Sequence, residues 1–300
     1  MYEHLLSRCR LCPRACGVNR LAGQTGFCRA GALPRLGLVS LHHWEEPCLA
    51  GSNGSGTVFF SHCNLRCLFC QNHAISQEAA GQTVSVDRLA AIFLEQQQRG
   101  AHNINLVTPS HYAPAVAAAL AAAKRDGLRL PVIYNTNSYE ATETIDLFRG
   151  LVDIYLPDLK YMDERYASGY SQAPGYFQYA AAAIEAMVSQ TGEPVFNADG
   201  LMTRGVIIRH LALPGGARDS KSIIRHIYTT YGNSVYLSLM NQYTPLHLAL
   251  GHPVLRHRLP AGDYAKLVDY ALSLGVENGF IQEGGAVSES FVPRFDCRGV

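Results

Sequence analysis

The sequence predicts an α/β fold in which six β/α units form a partial barrel, preceded by a small cysteine-rich segment. From residue 57 onward, short apolar runs alternate with longer amphipathic segments, as in parallel strands joined by helices. The 300 residues, 48% of them hydrophobic, can bury a sizeable core. A closed eight-fold barrel needs about 250 residues, and only about 240 remain here, with six clear units. An open doubly wound sheet is the alternative that the same pattern allows.

Six buried strands are predicted from short runs of apolar residues. The run at 206–213 is closed by a Pro-Gly-Gly turn, and a short extra strand is expected at 280–282, just after Gly279. The six strands span 57–61, 103–107, 131–135, 152–156, 206–213 and 234–240.

Six helices are predicted between and after these strands. Ser85 can cap the first one, and Leu89, Ile92, Phe93 and Gln96 then fall on one stripe. The second is rich in alanine, which favours helix interiors, and it stops at Gly127, since glycine favours helix ends. The helices span 85–99, 114–126, 141–149, 174–190, 220–230 and 263–274.

The most informative motif is C-x3-C-x2-C, formed by Cys63, Cys67 and Cys70 directly after the first strand. Parallel α/β folds collect their chemistry at the carboxyl ends of the strands. A cubane iron–sulfur cluster needs four thiolates, so three would leave one iron open for another ligand. Zinc is an alternative if His62 or His73 supplies a fourth ligand, and buried or disulfide-bonded cysteines are another.

The run Cys63 to Asn72, CNLRCLFCQN, resembles the signature loop of radical S-adenosylmethionine (SAM) enzymes. The wider stretch 43–72 resembles the proteins similar to pyruvate formate-lyase activating enzyme. The resemblance implies a partial (β/α)6 barrel of the radical SAM type. It also implies a [4Fe–4S] cluster on Cys63, Cys67 and Cys70, with SAM on the fourth iron. The reduced cluster would cleave SAM to a 5′-deoxyadenosyl radical that abstracts hydrogen.

The same resemblance implies further partners. An electron donor such as flavodoxin or ferredoxin would reduce the cluster. The substrate would be a glycyl radical enzyme, a peptide or a small molecule. A non-catalytic iron–sulfur or zinc protein is the competing class.

Polar residues at the ends of later strands are the candidate SAM contacts. Many radical SAM enzymes carry Gly-Gly-Glu after the second strand, whereas this chain has Thr108 and Ser110 and no carboxylate there. Ordinary turn chemistry is the alternative for these two hydroxyls. After the third strand, Asn135, Asn137 and Ser138 resemble the Thr-Asn-Gly segment of the activating enzymes.

The last candidate SAM contacts follow strands four to six. Asp158 and Lys160 resemble the Asp-x-Lys element, and strand alternation places them on the same side. A solvated ion pair is the alternative reading for them. Arg209 could form a bidentate pair with the SAM carboxylate, and Asn241 could contact adenosine. His111, Tyr161, Tyr243 and Glu283 are acid–base candidates by position only.

The amino-terminal segment holds a second cysteine set with the spacing C-x2-C-x3-C-x11-C. Cys9, Cys12, Cys16 and Cys28 can saturate a metal, which predicts structural zinc or an auxiliary iron–sulfur cluster. Free thiols are the alternative. We therefore expect a metal-binding segment at 1–50 and a core domain at 51–300. Cys48 and Cys297 are expected to be structural thiols.

Composition excludes several other function classes. The net charge of +1 gives no electrostatic case for nucleic acid or a membrane surface. The longest apolar run, 113–123, is about half of the ~20 residues that a membrane span needs. No signal peptide is evident, and seven of the nine cysteines lie in two tight clusters, so a cytoplasmic location is expected. The glycine-rich run 51–56 precedes a strand and lacks Gly-Lys-Ser/Thr, so it is not a P-loop.

Overall fold

In a computed structural model, which describes residues 3–282 and 293–300, a mostly parallel sheet carries helices between its strands. The strands are β1 (Arg35–His42), β2 (Ser55–Phe60), β3 (Gln82–Thr83), β4 (Ile104–Val107), β5 (Val132–Thr136), β6 (Ile154–Pro157), β7 (Val195–Phe196), β8 (Met202–Leu211), β9 (Tyr236–Met240) and β10 (Gly279–Ile281). The helices are α1 (Glu3–Ser7), α2 (Pro47–Ala50), α3 (His73–Ser76), α4 (Val86–Gln98), α5 (Ala113–Arg125), α6 (Thr142–Asp146), α7 (Glu164–Ser171), α8 (Tyr176–Thr191), α9 (Ala217–Tyr231) and α10 (Ala261–Leu274). Short 3-10 turns lie at Arg20–Ala22, Ser110–Tyr112 and His247–Gly251.

The parallel part of the sheet follows chain order, β2-β4-β5-β6-β8-β9-β10. Antiparallel β1 flanks β2 and is followed by β3, so among the described strands the sheet does not close. The predicted partial barrel is therefore confirmed. The short extra strand expected near residue 280 is β10.

Two layers of apolar side chains hold the sheet. On β5, Val132 and Tyr134 join the large core beneath the helices, whereas Ile133 joins a small cluster on the opposite face. That cluster also holds Ile154, Leu156 and Ile207. Because side chains alternate along a strand, the residues two positions later stand on the same face. They are Asn135, Asp158 and Arg209, so a polar layer follows the apolar one at the carboxyl ends of the strands.

Several elements differ from the sequence prediction. β1 was not predicted, although six of its residues pair with β2. The expected boundary at residue 50 falls between these two neighbouring strands. Helix α7 was also not predicted, because only Ala167 and Ser171 of its eight residues are buried and it shows no clear apolar stripe. The Ser85 cap of α4 is present, with the Ser85 hydroxyl accepting from the backbone N–H of Arg88. Among the described residues, the helices are too short or too polar to span a membrane.

Candidate active site

The cysteine loop leaves the end of β2 and is hydrogen-bonded to helix α7. The backbone N–H groups of Arg66 and Leu68 donate to the carbonyls of Ser171 and Tyr170 at 3.0 and 2.8 Å, which ties the loop to the end of α7. His62 opens the loop in the left-handed region at φ 71°. Helix α7 therefore positions the loop in space, although the sequence did not reveal that helix.

Each of the three sulfurs has its own polar neighbour. Cys63 Sγ accepts from the backbone N–H of Leu65 and the side chain of Asn137, both at 3.4 Å. The Ser171 hydroxyl donates to Cys67 Sγ at 3.0 Å, and the Ser76 hydroxyl lies 3.2 Å from Cys70 Sγ. Hydrogen bonds to sulfur stabilise thiolates and tune iron–sulfur centres.

The free thiols are hard to ionise. Burial, followed by the neighbouring Cys67, raises the pKa of Cys63 to about 12. Burial raises the pKa of Cys67 to about 11, although the Lys160 charge lowers it. A bound metal supplies the positive charge that deprotonates such thiols outright.

The Asp158–Lys160 pair lies beside this loop at the end of β6. Lys160 Nζ is 2.6 Å from Asp158 Oδ2, and both side chains are largely buried, at 17% and 20% exposure. Burial disfavours the ammonium, but the charges of Asp158 and Cys67 outweigh it and raise the pKa of Lys160 above its usual value. Lys160 is therefore a permanent cation beside the cysteine loop.

Arg209 forms a buried ion-pair network with two carboxylates that the sequence reasoning missed. Its guanidinium contacts Glu45 and makes two bonds to Glu46, at 2.9 and 2.6 Å. Asn105 donates to Glu45 Oε1 at 3.0 Å. Burial raises the pKa of Glu46, but the Arg209 charge and its hydrogen bonds lower it by more. The pKa of Glu46 is therefore below its usual value. The two adjacent acids are visible in the sequence, but their pairing with Arg209, 163 positions away from Glu46, is not.

The polar residues after β5 bridge to the cysteine loop. Asn137 donates to Asn64 Oδ1 at 2.8 Å as well as to Cys63. Asn135 has its carbonyl bonded to the N–H of Thr108, which sits in the left-handed region at φ 58°. Within the described part of the chain, the buried hydroxyl of Ser138 has no partner. The structure thus brings Asn137 to the sulfurs and leaves Ser138 available for a ligand.

Ser110 and the nitrogen donors of Asn241 are engaged elsewhere, whereas the buried Asn241 Oδ1 has no hydrogen-bond partner among the described residues. The Ser110 hydroxyl donates to Glu140, a buried carboxylate that also accepts from Thr136 and Tyr134 and that the sequence reasoning missed. Asn241 donates twice to Gln282, at 3.0 Å each. No contact between either residue and the cysteine loop is seen in the described residues, so their proposed SAM roles remain predictions.

The acid–base candidates have structural partners. Tyr161 pairs with Ser171 at 2.8 Å, and Tyr243 donates to the carbonyl of Leu255. His111 is buried against the carbonyl of Ser61. Glu283 lies outside the described residues.

Comparison with known proteins identifies one domain of this chain. Residues 57–202 match the family model of the radical SAM superfamily. This chain contains a radical SAM domain. The uncharacterized protein MJ0674 of Methanocaldococcus jannaschii is 27% identical over 281 residues, which cover 90% of this chain and 75% of that protein.

The fold of this chain also has solved structural counterparts. Crystal structures of Streptococcus suis SuiB, one bound to the precursor peptide SuiA and one to S-adenosylmethionine, share 12% identity with this chain. Their TM-scores are 0.52 and 0.51, over 75% of this chain. The chain spans 47% and 49% of their length, about half, and the likeness concerns the fold.

A radical SAM domain implies a [4Fe–4S] cluster and SAM, and the cysteine spacing here fits a cluster better than a single ion. Around zinc, with Zn–S bonds of about 2.3 Å, tetrahedral sulfurs would lie about 3.8 Å apart. No three cysteine sulfurs of the described residues lie within 4.8 Å of one another. Each thiolate of a cubane binds a different iron, so its sulfurs stand farther apart.

The flanking histidines do not complete a zinc site with the loop. His73 Nδ1 bonds to Glu78 Oε1 at 3.0 Å, and its ring stacks on His247 at 4.3 Å. His62 packs edge-on against His111. Among the described residues, neither histidine lies with two loop cysteines so that all three ligand atoms are within 4.8 Å of one another.

Proposed function

We propose that Cys63, Cys67 and Cys70 ligate a [4Fe–4S] cluster and that this protein reductively cleaves SAM. When bound, the reduced cluster supplies an electron that cleaves SAM to methionine and a 5′-deoxyadenosyl radical. The convergence of three sulfurs with separate hydrogen-bond donors, beside Lys160, carries the proposal. An external one-electron donor such as flavodoxin or ferredoxin is required.

The residues around the loop have distinct roles in this proposal. Lys160 offsets the negative charge of the thiolates and is the best-placed cation for the methionine carboxylate. Arg209 is occupied by Glu45 and Glu46, so it holds these carboxylates in place. Two carboxylates against one guanidinium leave one negative charge, which complements the net positive charge of SAM. This pair thus offers the carboxylate that is absent after β4.

The loop and the polar strand ends would orient SAM. Asn137 donates to Cys63 and Ser171 donates to Cys67, so hydrogen bonds from the barrel hold these two sulfurs in position. Ser138 presents a buried hydroxyl at the end of β5 that no other described residue pairs with. Asp158 lies beside Lys160, where it can accept from a ribose hydroxyl.

Hydrogen abstraction from a glycine of a partner protein is the finer proposal. It is supported by the resemblance of residues 43–72 to the activating enzymes of glycyl radical proteins. A protein-based radical detected by electron paramagnetic resonance after incubation with a candidate glycyl radical enzyme would test it. Cleavage of SAM without any such signal would favour a peptide or small-molecule substrate.

Anaerobic reconstitution of wild type and Cys67→Ala tests the central proposal. The variant should lose about four irons and release no 5′-deoxyadenosine from SAM and dithionite, since one cluster ligand is gone. Cys297→Ser, outside both cysteine sets, is the matched control and should behave as wild type. Stoichiometric zinc in the loop, with no SAM cleavage by wild type, would refute the proposal.

A further inference from the structure

The four amino-terminal cysteines surround one cavity. Cys9, Cys12, Cys16 and Cys28 line it together with Arg20 and His111, and all four are free thiols. Apart from the turn at Arg20–Ala22, residues 9–30 form no helix or strand. A segment with so little regular structure needs a staple to hold a fixed shape.

Backbone N–H groups point at these sulfurs. Cys16 Sγ accepts from the backbone N–H of Phe27 at 3.5 Å, as Cys63 Sγ accepts from that of Leu65 in the radical SAM loop. Burial raises the pKa of Cys12 and Cys28, and the nearby backbone N–H groups of Arg14 and Ala30 lower it in part. Donors aimed at sulfur are the arrangement that a metal-bound thiolate requires.

His111, which lines this cavity, is paired through only one of its two ring nitrogens in the described part of the chain. His111 is 2% exposed, and its Nε2 donates to the carbonyl of Ser61 at 2.8 Å. Its Nδ1 is left with a lone pair and no hydrogen-bond partner in the described residues. An unpaired buried nitrogen beside four thiols indicates that a ligand belongs on this side.

The spacing of the sulfurs favours a cluster over one zinc ion. No three of the four sulfurs, all in the described part of the chain, lie within 4.8 Å of one another. Tetrahedral zinc would bring them to about 3.8 Å. Four separate irons accommodate the wider spacing, with every iron ligated by protein.

Asn64 connects this cavity to the radical SAM loop. Its Oδ1 lies 3.8 Å from Cys63 Sγ. On the other side, Arg14, between Cys12 and Cys16, donates to the Asn64 carbonyl at 3.1 Å. One fully buried residue therefore joins the segment of the first cysteine set to the radical SAM loop.

We propose that Cys9, Cys12, Cys16 and Cys28 ligate a second [4Fe–4S] cluster, which relays electrons to the Cys63–Cys70 centre past Asn64. The relay rests on the proposed function, whereas the metal site does not. A cluster with four protein ligands has no open iron, so it carries electrons and does not bind SAM. In each transfer, a flavodoxin- or ferredoxin-type donor loses one electron to the second cluster, which passes one electron to the first.

Metal content tests the site in the full-length chain. After anaerobic reconstitution, wild type should hold about eight irons. The amino-terminal variant Cys12→Ser/Cys16→Ser should hold about four. The loop variant Cys63→Ala/Cys67→Ala/Cys70→Ala should also hold about four. The four irons of the loop variant should give a paramagnetic signal that SAM does not change. Zinc in their place, or loss of all iron from a loop variant whose circular dichroism is native, would overturn the proposal. Cys297→Ser should match wild type.

The choice of reductant tests the relay. Cys12→Ser/Cys16→Ser should cleave SAM with the small reductant dithionite and lose cleavage with reduced flavodoxin. Equal loss with both reductants, or no loss with flavodoxin, would overturn the relay. If this variant binds four irons but SAM does not change the paramagnetic signal of its remaining cluster, the proposed function is wrong, whereas the second cluster is not contradicted.

Discussion

At the residue scale, the interior of this barrel is organised by charge. Glu45, Glu46 and Arg209 are nearly buried, at 8, 6 and 13% side-chain exposure. Removing each such charge from water costs several kcal/mol, and only a closely paired opposite charge offsets a cost of that size. The backbone of Asp158 pairs with that of Arg209, so this network adjoins the Asp158–Lys160 pair next to the sulfurs. A continuous set of charges thus runs from β1 to the cysteine loop.

Arg209→Met should destabilise the protein by about 3–5 kcal/mol, because two buried carboxylates would lose their cation. Arg209→Lys keeps the charge without the planar fork and should cost less. Anaerobic chemical unfolding of both variants measures the difference. A methionine variant as stable as wild type would show that the network contributes nothing to folding.

Single residues differ in how far the sequence reveals their role. Asp158 and Lys160 could be placed together, because strand alternation sets their side. Glu45 and Asn64 could not, since their partners are distant in the chain: Asn105 donates to Glu45 across 60 positions. Burial of a charge depends on such long-range pairing, which no local pattern encodes.

At the element scale, the buried parallel strands were predictable and the marginal elements were not. Six strands lie within the predicted apolar runs or are shifted from them by a few residues, because strands covered on both faces are continuously apolar. They are β2, β4, β5, β6, β8 and β9. β1 carries polar residues and a register irregularity near Leu36, and α7 is mostly polar on its surface. Tertiary contacts, here with β2 and the cysteine loop, determine both.

His210 joins three of these elements and should make the stability of the protein pH-dependent. On β8, its Nδ1 is 2.8 Å from the Leu159 carbonyl and its Nε2 is 2.9 Å from the Ser220 hydroxyl on α9. Burial lowers the pKa of His210 from 6.5 to about 4. The unfolded chain therefore takes up a proton first as the pH falls. Stability from the neutral ring is present above pH 6.5 and is lost between 6.5 and about 4.

Between about pH 7.5 and about pH 5, wild type should lose about 2 kcal/mol more stability than His210→Gln, which cannot titrate. Anaerobic thermal unfolding at the two pH values gives the comparison. Acid-sensitive groups common to both proteins, such as Glu46, cancel in the difference. Equal losses would mean that His210 does not remain neutral in the folded chain.

At the scale of the whole molecule, the amino-terminal segment is packed onto the barrel at its reactive loop. Phe27 lies between two guanidinium groups, with Arg14 3.7 Å and Arg66 4.7 Å from its ring centre. Arg66 also donates to the carbonyls of Phe27 and Cys63, at 2.5 and 2.9 Å. The sequence suggested two units, but only the folded chain reveals that they share this contact. Order in one cysteine set is therefore linked to order in the other.

Phe27→Ala should loosen both cysteine sets together, because it removes the ring that two cations share. Each cation–π contact contributes about 0.5–1 kcal/mol, and lost burial adds about 1–2 kcal/mol. Hydrogen exchange under anaerobic conditions should rise in residues 9–28 and 63–70 alike, while β8 and β9 keep their protection. Phe27→Leu retains bulk without the aromatic face and should show a smaller rise. Faster exchange confined to residues 9–28 would mean that the loop holds its shape without the segment.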